Sequence, residues 1–221
     1  MIGVFDSGVG GLSVLREIRR QLPQEDLVYV ADSGYAPYGD RSPEFIEARV
    51  TAIVGFLLQA GARAVVMACN TATVTAVQAL RAWCPVPIVA IEPAIKPAVS
   101  LTRSGVVGVL ATQRTVASSS VARLCERYGE GRRILLQACP GLVEQVERAD
   151  LDGPATMALL RRYVLPLLEQ GADTLVLGCT HYPFLADAIR TLAGPGVTIV
   201  DPAAAVAGEL CRRLGEEPAW G

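Results

Sequence analysis

The sequence predicts an α/β fold of two similar lobes, each built on a mainly parallel sheet, related by a pseudo-twofold axis with the active site in the cleft between them. Three observations predict it. Short β-rich runs alternate with amphipathic stretches along the whole chain, the pattern of repeated βαβ units. An ungapped internal repeat relates one half of the sequence to the other. The 221 residues, 51% of them hydrophobic, suffice for one core or for two, and two lobes of about 100 residues each are within the size range of independent domains.

Taken in order, the strands are expected at Ile2–Phe5, Leu27–Val30, Ala64–Met67, Ile88–Ile91, Val106–Leu110, Arg133–Leu136, Thr174–Leu177 and Val197–Val200. Each is a run of four or five mostly apolar residues. The intervening stretches have apolar residues at helical spacing, most clearly L12-S-V-L-R-E-I-R-R-Q-L22 and E44-F-I-E-A-R-V-T-A-I-V-G-F-L-L58. The first lobe is assigned 1–93 plus 203–221 and the second 94–202. In parallel sheets ligands bind outside the carboxyl ends of the strands, so residues directly after a strand are the ones that matter.

Composition removes several function classes. The formal charge is −2 and the basic residues are dispersed, so no basic face for a phosphate backbone is expected. The opening M-I-G-V-F-D-S-G reads as a strand and a glycine turn, which argues against a secretory leader. No apolar run approaches the roughly 18 residues that cross a bilayer. A soluble, cytoplasmic protein is the expectation. The six cysteines, at 69, 84, 125, 139, 179 and 211, include no C-x-x-C pair and are expected to be free thiols.

The repeat singles out two of them. L57-L-Q-A-G-A-R-A-V-V-M-A-C69-N-T aligns on L167-L-E-Q-G-A-D-T-L-V-L-G-C179-T-H, so Cys69 and Cys179 hold the same place in the two halves. A90-I-E-P-A94 similarly answers I199-V-D-P-A203, and I2-G-V-F-D6 loosely answers V107-G-V-L-A111. The two cysteines could simply fill equivalent core holes, but each is followed by polar residues. Two thiols facing one small substrate suit a reaction that removes a proton from one face of a carbon and returns one to the other. A thiol with a pKa of about 8.5 can serve as acid or base near neutrality. Asp6, directly after the first strand, is positioned to assist Cys69, with a helix cap as its structural alternative. His181, the chain's one histidine, is positioned to assist Cys179, with a hydrogen-bonded structural imidazole as the alternative.

Other chemistries remain open at this point. A zinc site on Cys69, Cys179 and His181 would require three converging ligands. A cysteine hydrolase could pair Cys179 with His181, although two residues is a poor spacing for a nucleophile and its base. Pyridoxal phosphate needs a Schiff-base lysine, and Lys96, the sole lysine, sits in E92-P-A-I-K96-P as an expected solvated turn charge. D6-S-G-V-G-G11 only approximates a nucleotide loop and lacks the G-K-[ST] ending.

The motifs F5-D-S-G-V-G-G-L12, A36-P-Y-G-D40, A68-C-N-T-A72, I91-E-P-A-I-K96, G108-V-L-A-T112, C139-P-G-L-V143 and L177-G-C-T-H-Y182 together resemble the glutamate racemases of the aspartate/glutamate racemase superfamily. The resemblance implies glutamate bound between two α/β lobes, no cofactor and no metal. It implies Cys69 acting on D-glutamate and Cys179 on L-glutamate, with catalytic support from Asp6, His181 and Glu147. The donors holding the substrate would be Asp6, Ser7, Tyr38, Gly39, Asn70, Thr71, Thr180 and His181. Where the family often has C-P-x-F-V-P-x-x-E, this chain reads C139-P-G-L-V-E144-Q-V-E147; Glu147 matches the glutamate by position and Glu144 is an additional candidate. By the same resemblance the C-T-H triplet at 179–181 favours glutamate over aspartate, and a homodimer supplying D-glutamate for peptidoglycan is the expected context.

Overall fold

A computed structural model describes residues 1–215. The chain divides into two compact units, one formed by Met1–Glu92 and the described chain from Pro202 onward, the other by Pro93–Asp201.

In the first unit, β1 (Ile2–Asp6), α1 (Leu12–Gln21), β2 (Leu27–Ala31), α2 (Pro43–Gln59), β3 (Ala64–Met67), α3 (Asn70–Arg81) and β4 (Ile88–Ala90) follow in order. The four strands form a parallel sheet in the order β2-β1-β3-β4. Parallel strands covered on both faces read as continuous apolar runs, and β1 and β3 are buried throughout. Side chains alternate between two layers. Ile2, Val4, Ala64 and Val66 pack with Val14 and Ile18 of α1, whereas Phe5, Val65 and Met67 pack with Val50 and Val54 of α2 and Ala76 of α3.

The second unit repeats the scheme with β5 (Val106–Ala111), β6 (Arg133–Ala138), β7 (Thr174–Leu177) and β8 (Thr198–Val200) in the parallel order β6-β5-β7-β8. Its helices are α4 (Ile95–Leu101), α5 (Gln113–Val116), α6 (Ser119–Tyr128), α7 (Leu142–Glu147), α8 (Pro154–Glu169) and α9 (Ala186–Ala193). The chain then returns to the first unit as α10 (Ala203–Leu214), which shares a core layer with α1. Gln21 of α1 donates to Ala204 O at 3.1 Å and ties the two helices together.

The repeat extends to packing detail. A Cβ on Gly3 of β1 would lie 2.9 Å from Leu57 of α2, and one on Gly108 of β5 would lie 2.9 Å from Leu167 of α8. Leu57 and Leu167 are themselves repeat equivalents, so the same close strand–helix approach is built twice. Both helices stop at a glycine in the left-handed region, Gly61 (φ +89°) and Gly171 (φ +90°). Helix starts follow the sequence as well, with Ser42 capping α2 ahead of Pro43 at its first position.

Every expected strand is present, with ends differing by at most two residues. Lys96, expected in a turn, instead lies in the first turn of α4, exposed, with its ammonium 5.9 Å from the Tyr128 ring. Among the described residues no helix is long and apolar enough to cross a membrane.

Candidate active site

The first half-site is assembled at the carboxyl edge of the first sheet, where β2, β1 and β3 end side by side. Asp32 N–H donates to Asp6 O and Ala68 N–H to Phe5 O, which holds the three strand ends in register. Cys69 lies two residues beyond the end of β3, 4% exposed, and caps α3. Its thiol donates to Ser7 Oγ at 3.6 Å, and its sulfur accepts from Ala72 N–H at 3.4 Å. A sulfur that caps a 12-residue helix sits where the helix dipole favours negative charge.

Asp6 is fully buried, and its Oδ2 accepts from Gly8 N–H at 3.0 Å, bracing the turn that carries Ser7. That turn is tightly packed: a Cβ on Gly11 would lie 2.6 Å from the Asp6 Cβ and 2.8 Å from the Tyr29 hydroxyl. Tyr29 donates to Gly8 O at 2.6 Å from the other side. Asn70 and Thr71 open α3 and are buried, and the Asn70 Oδ1 and Nδ2 atoms have no hydrogen-bond partner among the described residues. Buried amides are almost always satisfied within the fold. The Asn70 oxygen can accept, and its NH₂ group can donate two hydrogen bonds.

Tyr38 is 1% exposed and donates to Asp32 Oδ2 at 2.5 Å, with Gly39 half-buried beside it. Burial, reinforced by Asp32 and Cys69, raises the phenol far above its ordinary range, so it stays a neutral donor. Arg49 of α2 grips the same carboxylate at 2.9 and 2.6 Å. Sequence reasoning missed Asp32 and Arg49. Asp32 had a signal, because it directly follows β2 while Asp6 closes the neighbouring β1; Arg49 had none, lying mid-helix.

The second half-site occupies the matching edge of the second sheet. Cys179 follows β7, 6% exposed, with its sulfur 3.8 Å from His181 Nδ1. The two-residue spacing expected to be poor for a thiol–imidazole pair therefore does bring them together. The cause is a tighter turn than at Cys69. There Thr73 N–H donates to Cys69 O, the first α-helical bond, but the equivalent residue here is Pro183, which has no N–H. Tyr182 N–H donates to Cys179 O instead, and a 3-10 turn over Tyr182–Leu185 precedes α9.

His181 is 1% exposed, and its Nε2 lies 2.6 Å from Glu147 Oε1 at the end of α7. A carboxylate only accepts, so Nε2 carries a proton, and in the neutral ring Nδ1 is the basic nitrogen that faces the thiol. Glu144 is placed differently, with its charge acting on Tyr163 and Tyr182. Thr180 is buried between Cys179 and His181. At the neighbouring end of β5, Thr112 donates to Thr115 Oγ1 at 3.0 Å and caps α5, a hydroxyl pair that sequence reasoning did not single out. Burial pushes the Cys139 thiol well up, an effect the charge of Cys179 adds to, and its sulfur donates to Gln137 O. That cysteine has the character of a core residue.

Among the described residues no cysteine forms a disulfide. Among the described residues no three or more His, Cys, Asp or Glu side chains form a group that could hold a metal ion.

The Asp/Glu/Hydantoin racemase family model matches residues 2–210. The glutamate racemase of Methylococcus capsulatus is 59% identical over 213 residues, 96% of this chain and 79% of that protein. The glutamate racemase of Pseudomonas entomophila is 57% identical, covering 97% of this chain and 82% of its own length. Among solved structures, Escherichia coli glutamate racemase in complex with L-glutamate and the activator UDP-MurNAc-Ala superposes with a TM-score of 0.90 at 38% identity, over 99% of this chain and 84% of that one.

Proposed function

The chain belongs to the Asp/Glu/Hydantoin racemase family, and on that premise we propose that it is a glutamate racemase using two thiols and no cofactor. The observation that carries the reading is the pair of buried, repeat-equivalent thiols at the ends of β3 and β7, each held against a different polar partner.

The mechanism requires one glutamate α-carbon between the two sulfurs. Cys69 as thiolate removes the α-proton of D-glutamate, and Cys179 as thiol delivers a proton to the opposite face, giving L-glutamate; the reverse direction exchanges the roles. The α3 N-terminus favours charge on Cys69, and the Ser7 hydroxyl, which accepts from the thiol, can turn to donate to the thiolate. His181, oriented by Glu147, accepts the Cys179 proton when that sulfur must act as base. The unpartnered Asn70 amide offers hydrogen bonds to the substrate's charged groups, and Ser7, Thr71, Thr180 and the Tyr38–Gly39 segment supply further donors.

The relatives' names favour glutamate over aspartate. The proposal extends to a cytoplasmic homodimer that supplies D-glutamate for peptidoglycan. The purified protein with EDTA and no added cofactor should erase the circular dichroism of L-glutamate and of D-glutamate at comparable specificity constants. Turnover of aspartate with glutamate inert would move the substrate assignment, and inertness toward both would sink the reading.

A further inference from the structure

Arg49 reaches from α2 to the end of β2, where its Nε and Nη2 donate to the two oxygens of Asp32 at 2.9 and 2.6 Å. This fork-on-carboxylate arrangement fixes orientation as well as charge. Asp32 is 6% exposed, its backbone is hydrogen-bonded to Asp6, and its Oδ2 also receives the Tyr38 hydroxyl. Tyr38 in turn belongs to the same buried cluster as Cys69 and Ala72. The guanidinium Cζ lies 3.9 Å from the centre of the Tyr35 ring, which limits its freedom to swing away. Burial alone would raise the Asp32 carboxyl, but the bonds from Arg49 and Tyr38 hold it below the usual carboxylate range.

A buried carboxylate that reaches the cluster of an ionising thiol through Tyr38 opposes that ionisation unless its charge is cancelled. Arg49 cancels it and locks its rotamer. We propose that Arg49 is a positioning residue for the first half-site, acting through Asp32 to fix the Tyr38 hydroxyl and to keep Cys69 able to ionise. Its kinetic consequence rests on the racemase reading; its effect on Cys69 does not.

The test uses Arg49→Gln, Arg49→Lys, Tyr38→Phe and the double variant Arg49→Gln/Tyr38→Phe. Iodoacetamide alkylation of Cys69 and Cys179 is followed by peptide mass spectrometry from pH 7 to 9. Arg49→Gln should slow alkylation of Cys69 about tenfold at neutral pH while leaving Cys179 unchanged, because thiolate fraction sets the rate. In turnover, its α-deuterium isotope effect should rise for D-glutamate and not for L-glutamate. Arg49→Lys should recover part of both effects, since it keeps the charge and loses the fork. The double variant should be no worse than the poorer single, as expected for residues in one chain of contacts.

Unchanged alkylation of Cys69, or a parallel fall at both cysteines that tracks the melting temperature, overturns the proposal. So does full additivity in the double variant. If Arg49→Gln does not fold, Arg49→Lys and Tyr38→Phe carry the same readouts. If the wild type leaves glutamate untouched, the racemase reading fails and the alkylation rates still decide the role of Arg49.

Discussion

Glu147 Oε1 lies 2.6 Å from His181 Nε2, and the opposite ring nitrogen of that histidine faces the Cys179 sulfur at 3.8 Å. The carboxylate thus selects the imidazole tautomer that can take a proton from the thiol. Glu147→Gln should lower kcat by about 10²-fold, the scale of a lost general base. The loss should bring a larger α-deuterium isotope effect for L-glutamate than for D-glutamate. Equal changes for both enantiomers would reduce Glu147 to a structural partner.

In the proposed mechanism each sulfur has its own step. Cys69→Ser and Cys179→Ser should each cut racemisation by at least about 10³-fold, because a hydroxyl is a far weaker acid than a thiol of pKa about 8.5. Far-ultraviolet circular dichroism should be unchanged and the melting temperature nearly so. A serine variant that racemises at near wild-type rate would show that its cysteine is not an acid–base group.

Three glycines should respond differently to alanine. At Gly178 a Cβ would meet Leu110 O at 2.8 Å, and at Gly11 it would meet the Asp6 Cβ at 2.6 Å. Neither neighbour can move without shifting a strand end, so Gly178→Ala and Gly11→Ala should destabilise by about 1–3 kcal/mol and impair turnover. Gly55, inside α2 with nothing within 4 Å of its Cβ position, should do the reverse. Gly55→Ala is expected to stabilise by about 0.5–1 kcal/mol with activity intact. Urea titrations read all three.

Asp173 anchors the loop entering β5. It accepts from Thr102 Oγ1 at 2.6 Å, from the Ser104 and Arg103 N–H groups at 2.7 and 2.8 Å, and from Thr174 Oγ1 at 3.0 Å. Burial opposes ionisation, but these donors win and hold the carboxyl well below the usual range. A carboxyl depressed in the folded state adds stability above its unfolded pKa of about 3.9, and that contribution is lost as pH falls through the folded value. Asp173→Asn should therefore cost about 1–2 kcal/mol near neutrality, a discounted figure for a part-exposed group. The gap to wild type should close as pH drops below about 4. A pH-independent gap would mean that shape, not charge, sets the effect.

The parallel sheets were legible because buried strands leave continuous apolar runs, and the repeat was legible because Cys69 and Cys179 align without a gap. Periodicity could not reveal the different turns after those cysteines, which depend on one missing N–H at Pro183. The choice between Glu144 and Glu147 depends on which way the end of α7 points, something residue spacing does not encode. The partnership of Arg49 with Asp32 spans 17 positions and two elements, so only the folded chain brings it into view. Strand-end position was enough to propose Asp6 and His181; the contact of His181 with Glu147 comes from tertiary packing.

The most direct measurement of the two-thiol account is the deuterium content of both enantiomers during the first few per cent of racemisation in D₂O, starting from L-glutamate and, separately, from D-glutamate. Two opposed monoprotic groups predict that the product enantiomer carries solvent deuterium at Cα while the unreacted substrate retains its proton, from either starting side. Deuterium entering the substrate enantiomer as fast as the product, or product that keeps the original proton, would mean one group serving both faces and would contradict the account.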